Sequence, residues 1–300
     1  MTEWKEVSED QATGQTAEIF RDIRRTLRVP LVNLLYRVWA SEGGLLPLLW
    51  TACRPNLQTI DFEVKADGLR SEIVENLSYD FTVPDQASRL DTLRMSVPDI
   101  ERLRHELAVF HYINYKLLLH CAMLKRALGF LGCRGTGRPL GFIEPGIPSE
   151  APHRIELVDE TPADPELKAL FDEIRRSLKL VRINLDYRAL GKWPQYLKMA
   201  WNDLRSYHES PYFEAHQKKL RSYASDFVSG MPYTVKITAE ASRRAQVNRG
   251  DLEKWVDPFF ELLPGLILNI AFWKIALDGA EQAKKSPFPV AMVAITAVAN

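Results

Sequence analysis

The chain has 300 residues, 39 Lys and Arg balanced by 39 Asp and Glu, and is 46% hydrophobic and 26% charged. That length holds one large or two ordinary domains, and the apolar share excludes wholesale disorder. A formal net charge of zero argues against nucleic acid or an anionic membrane as the main partner, because both favour a basic excess. The acidic start, residues 1–10, lacks the apolar core of a secretory signal, so a cytoplasmic setting is expected. Residues 16–27 put Ile19, Phe20, Ile23 and Leu27 on one face of a helix. Gly43, Gly44 and Pro47 separate neighbouring helices. Residues 99–128 read as a long helix with Leu103, Leu107, Phe110, Leu117, Leu124 and Leu128 at helical spacing. Asn114 sits within that apolar face and must find a partner.

Residues 131–165 are dense in Gly and Pro and read as a long surface connection. Residues 165–178 repeat the first helical pattern, with Asp164 as N-cap and Pro165 in the first turn. The longest apolar runs, 262–273 and 290–299, fall short of the roughly 20 residues that span a membrane. The last is expected to pack as a terminal helix or strand. Sustained period-two alternation is scarce, so the fold class expected is all-α.

Shifting the sequence by 151 aligns residues 17–37 with 168–188 without a gap. Identities include Phe20/Phe171, Arg24/Arg175, Asn33/Asn184, Tyr36/Tyr187 and Arg37/Arg188. At a shift of 149, residues 117–128 pair with 266–277, for example Leu117/Leu266 and Lys125/Lys274. The pattern predicts a duplication: a first helical repeat over 1–130, a linker over 131–165 and a second repeat over 166–300, packed as a pseudo-dimer. Pockets form at such interfaces, so the informative positions are those where the copies differ in chemistry. In the Asn-Leu-x-Tyr-Arg segment the middle residue is Leu35 in the first copy and Asp186 in the second. Apolar neighbours raise a carboxylate's pKa, which suits a general base near neutral pH. The alternative is an exposed aspartate on the outer face of one copy.

Cys53, Cys121 and Cys133 are too few and too scattered for a disulfide framework or a zinc site. The six histidines form no His-Glu-x-x-His pattern, which argues against a metal enzyme. His120 and Cys121 are helix neighbours that point to different faces, which excludes a dyad.

The segment 184–188 (Asn-Leu-Asp-Tyr-Arg), the following 193–197 (Trp-Pro-Gln-Tyr-Leu) and 200–201 (Ala-Trp), the first-half 57–63 (Leu-Gln-Thr-Ile-Asp-Phe-Glu) and the duplicated layout resemble the group I 2-haloacid dehalogenases. The resemblance implies cofactor-free hydrolysis of short 2-halocarboxylic acids to 2-hydroxy acids, with halide released and configuration inverted. Water activated by an aspartate of the second half attacks C2 directly, with no ester intermediate. The family's aspartate falls on Asp186, and its threonine and glutamate fall on Thr59 and Glu63, four apart on one helix face. On the residues alone, Thr59 is equally a helix cap, and Glu63 a structural carboxylate paired with Arg37 or Arg70. Candidates for the substrate carboxylate are Asn33, Tyr36, Asn114 and Tyr115, with Asn184, Leu185, Tyr187 and Arg188 from the other half. Asn184, two places before the aspartate, fills space the L form needs in this family, which favours D-specific turnover. Expected partners are the acid, water and halide, with neither nucleic acid nor membrane. A monomer and a homo-oligomer both stay open. The rival readings are another helical enzyme of the carboxymuconolactone decarboxylase or alkylhydroperoxidase type, whose redox members need a Cys-x-x-Cys that this sequence lacks, and a non-catalytic helical binding protein.

Overall fold

The computed structural model describes residues 4–129 and 132–290. Among the described residues the chain forms twelve α-helices, three short 3-10 turns and no strand, only two isolated bridges. Nearly all of the final apolar run, 291–299, lies outside them.

The amphipathic first helix, α1 (Gly14–Leu27), buries Phe20, Ile23 and Leu27. It stops where Arg28 turns left-handed, φ 64°. A side chain with a Cβ is strained there, which halts the helix. Short α2 (Leu34–Ala40), then α3 (Leu45–Leu57) and α4 (Ile60–Asp80), follow. Ser96 caps the long α5 (Val97–Leu128) by accepting from the Asp99 backbone N–H. The second half opens with α6 (Pro165–Ser177), capped by Asp164, whose carboxylate accepts from the Glu166 N–H. Lys179 then adopts φ 53°, as Arg28 does in the first half. Next come α7 (Leu185–Leu190), α8 (Pro194–His208), α9 (Pro211–Phe227), α10 (Ala239–Arg244), α11 (Glu253–Asp278) and α12 (Ala280–Ala283).

The starts of α1, α2 and α4 precede those of α6, α7 and α9 by 151 residues each. Specific bonds recur at the same interval. Trp50 Nε1 donates to Asp22 and Trp201 Nε1 to Glu173, both at 2.8 Å. The Val7 N–H reaches the Arg37 carbonyl at 3.0 Å, and the Val158 N–H reaches that of Arg188 at 3.1 Å. Glu9 accepts from the Val32 N–H, and Glu160 from the Ile183 N–H. Val158 and Glu160 lie within the stretch expected to be pure connection. Its end therefore makes the contacts that the N-terminal segment makes in the first half.

The rest of that stretch crosses the surface as an irregular strap. Ile143 and Gly141 bond the α3–α4 turn, while Cys133, Thr136 and Gly137 bond residues 231–235 beyond α9. Gly135 is needed there: a Cβ would fall 2.3 Å from the Pro232 carbonyl oxygen.

α5 and α11 form the most extensive helix pair and are the axis of the core, and α4 packs on α9 beside them. Both α5 and the segment ending at Asp278 are long and apolar enough to cross a membrane by length and composition. Their apolar windows are 100% and 83% buried within the protein, which explains their hydropathy as that of core helices. Trp39, Trp201 and Trp273, the last on α11 itself, are the largest fully buried side chains among the described residues.

Candidate active site

The N-termini of α2 and α7 meet the middle of α5 and α11. Asn184 is the N-cap of α7, so Asp186 stands at its second helical position, among backbone N–H groups with no intrahelical acceptor. The Asp186 side chain is not on an outer face: the residue is 4% exposed. Asn114 Nδ2 donates to Asp186 Oδ1 at 2.8 Å, which is the partner that an amide in the apolar face of α5 requires. Burial pushes the Asp186 carboxyl up to about 6, and the bonds from Asn114 and from its own backbone amide offset only part of that rise.

The pair faces a narrow cavity of about 20 Å³. Its wall residues pair at the intervals of 151 and 149 residues: Asn33 with Asn184, Leu34 with Leu185, Leu35 with Asp186, Asn114 with Leu263, and Leu117 with Leu266. Phe259 and Leu262 of α11 complete it. The polar differences thus fall together. Asn114 touches Asp186, and the positions matching them, Leu263 and Leu35, are both apolar. Asn33 Oδ1 is buried in this wall without a hydrogen-bond partner among the described residues. A larger, open depression lies between α6 and α8, but its polar walls include the exposed residues Asp164 and Glu166.

Of the residues singled out from sequence, Asn33, Asn114, Asn184, Leu185 and Asp186 come together here. The others do not line the cavity. Tyr36 bonds His120 Nδ1 at 2.8 Å, and Tyr187 accepts from Asn269 Nδ2 at 2.8 Å, so both hydroxyls are satisfied in the core. Tyr115 turns its ring toward His111 and Arg70. Arg188 donates to the Val158 carbonyl. Thr59 caps α4: its hydroxyl accepts from the Phe62 N–H and donates to the Asn56 carbonyl. Glu63 pairs with Lys116 at 2.6 Å and with Arg28 at 3.9 Å, not with Arg37 or Arg70, which bind Glu6 and Asp67. Lys116 lies two residues beyond Asn114, which puts it on the far side of α5 from Asp186. Thr59 thus stands as the cap of α4 and Glu63 in a buried ion pair, and neither lines the cavity. Lys116, Phe259 and Leu262 were missed. The 149-residue register, which sets Phe110 against Phe259, was the available signal for the α11 wall.

An all-helical protein holding one carboxylate, raised to about 6, in a small apolar cavity beside an amide has the equipment of a base-assisted hydrolase that needs an activated water. Residues 30–187 match the family model described as "Halocarboxylic acid dehydrogenase DehI", and the chain belongs to that family. It is 26% identical over 275 residues to an (R)-2-haloacid dehalogenase of Pseudomonas putida, covering 89% of this chain and 91% of that one. It is 27% identical over 292 residues to a configuration-inverting 2-haloacid dehalogenase of Alcaligenes xylosoxydans xylosoxydans, covering 95% and 97%. Among solved structures it is similar to a D-2-haloacid dehalogenase mutant complexed with D-2-CPA, with TM-score 0.80, 26% identity and coverage of 91% and 95%.

Proposed function

We propose that the protein is a configuration-inverting 2-haloacid dehalogenase, favouring the D enantiomer, with Asp186 as general base. One observation carries the assignment of the base: among the described residues the cavity holds a single carboxylate, Asp186, bonded by Asn114, while the residues at the matching positions are leucines. The reaction balances as 2-haloacid anion plus water giving 2-hydroxy acid anion, halide and a proton. Asp186 takes the proton as the water oxygen bonds C2 and the carbon–halogen bond breaks on the opposite side. Orientation of acid and water supplies much of the acceleration of such an in-line displacement. Asn33 and Asn184 orient the substrate carboxylate together with the free N–H groups opening α2 and α7, and the leucine walls with Phe259 receive the halide.

Asn184 also narrows the side that the L form would occupy, which supports D-specific turnover. The recurring elements and bonds support a duplicated chain: repeats over 1–130 and 166–300, linked by 131–165, pairing as a pseudo-dimer about this cavity. The three free, buried cysteines fit a cytoplasmic enzyme. The test is chloride release from D- and L-2-chloropropionate offered separately, with Asp186→Asn alongside and chiral analysis of the lactate. A single turnover in ¹⁸O water is expected to label lactate and leave the Asp186 carboxyl unlabelled. Label in the carboxyl would establish an ester route instead.

A further inference from the structure

The cavity around Asp186 has two approaches, related by the same 151- and 149-residue intervals, and they differ. On the second-half side an open depression of about 270 Å³ is bounded by Lys179, Phe213, Gln217, Glu261 and Gly265. It shares Leu262 and Leu266 with the walls of the cavity itself. Among the described wall residues Leu262 alone is half-buried, and the others are buried.

The matching positions in the first half are Arg28, Phe62, Ala66, Tyr112 and Lys116. All but Arg28 are buried, whereas Lys179 and Glu261 are exposed and Phe213, Gln217 and Gly265 are half-buried. The difference has a chemical cause. Lys116 stands where the second half has Gly265, and its ammonium spans the gap to Glu63 and to the Tyr112 hydroxyl, both at 2.6 Å. Arg28 closes the outer side by donating to Tyr112 and to the Phe288 carbonyl, with the Phe288 ring edge-on against Tyr112. Across the pseudo-twofold, Pro264 and Gly265 replace Tyr115 and Lys116. A Cβ added at Gly265 would meet nothing nearer than 3.9 Å, the Gln217 amide and the Phe213 ring. Glu214, the counterpart of Glu63, turns out to solvent and pairs with Lys218.

We infer that the depression at Gly265 is the portal by which the acid enters and the product leaves, Leu262 being its inner door, and that the Glu63–Lys116 pair is the plug that closes the equivalent opening of the first half. The inference rests on the dehalogenase reading and falls with it. Two copies of one unit would otherwise offer two routes to one base, and bulk water through the second would compete for the cavity.

Gly265→Cys places a thiol at the mouth, and a small anionic methanethiosulfonate can then narrow the portal through a disulfide that dithiothreitol removes. Tyr79→Cys, at a residue 90% exposed on the end of α4, is the control. Chloride release from D-2-chloropropionate is read before labelling, after it and after reduction. The portal predicts a loss of at least tenfold at position 265, recovery on reduction and no loss at position 79. Undiminished release from fully labelled Gly265→Cys, with the adduct verified by mass, overturns the portal while leaving the dehalogenase reading intact. Absence of chloride release from the unlabelled wild type overturns the dehalogenase reading, and the portal with it.

Discussion

Replacing Asp186 by Asn removes the charge that the core holds at a cost, while keeping the size of the side chain and an oxygen to accept from Asn114. The folded carboxyl titrates at about 6 against an ordinary 3.8, because burial disfavours the ionised form. That difference is worth about 3 kcal/mol. Its sign follows from protons bound. Below pH 3.8 both folded and unfolded states hold the proton and nothing is lost. Between 3.8 and 6 the folded state binds more, so stability falls as pH rises. Above 6 the penalty is complete, and Asp186→Asn is spared it. The variant is therefore expected to be more stable than wild type by up to about 3 kcal/mol at pH 7.5, and nearly equal to it at pH 4. With roughly 2 cal/mol/K of unfolding entropy per residue, this is a Tm rise of about 5 °C for a chain of this length. Thermal melts of both proteins at the two pH values, with chloride release measured in parallel, make the test. A variant destabilised equally at both pH values would refute the claim that the cavity raises the carboxyl's pKa, whatever its activity.

The kcat/KM for D-2-chloropropionate should rise through pH 6 to a plateau, as the base loses its proton. Asn114→Ala removes a bond that favours ionised Asp186, so the same limb should shift to higher pH; an unmoved limb would show that Asn114 does not act on the base. Lys116→Met leaves buried Glu63 with only the 3.9 Å contact to Arg28, at a cost of up to roughly 3–5 kcal/mol in urea unfolding, and adding Glu63→Gln should restore most of it. Thr59→Ala should cost about 1 kcal/mol as a lost cap, with Thr59→Ser recovering it; a fall in kcat beyond the folded fraction would return Thr59 to the chemistry. Asn184→Gly should raise L-2-chloropropionate turnover relative to D, read from paired kcat/KM values.

Much of this molecule is local and therefore readable in one dimension. The amphipathic stripes of α1 and α6, the Asp164–Pro165 start and the breaks at Gly43 and Gly44 follow from helical period and backbone preference, which neighbours in sequence determine. The Leu35/Asp186 difference was legible because aligned copies expose any position where they part company. Tertiary structure decided what depends on facing and distance. Asn114 and Lys116 are two residues apart on one helix, yet one serves the Asp186 cavity and the other a buried ion pair, because α5 turns 100° per residue and each side meets a different neighbour. The partner of Glu63 comes from 53 residues further along the chain, and no pattern around Thr59 or Glu63 encodes it. Only the packing of α5 on α11 turns Leu117, Leu266, Phe259 and Leu262 from ordinary core residues into walls. A helix face acquires its role from what the folded chain sets opposite it.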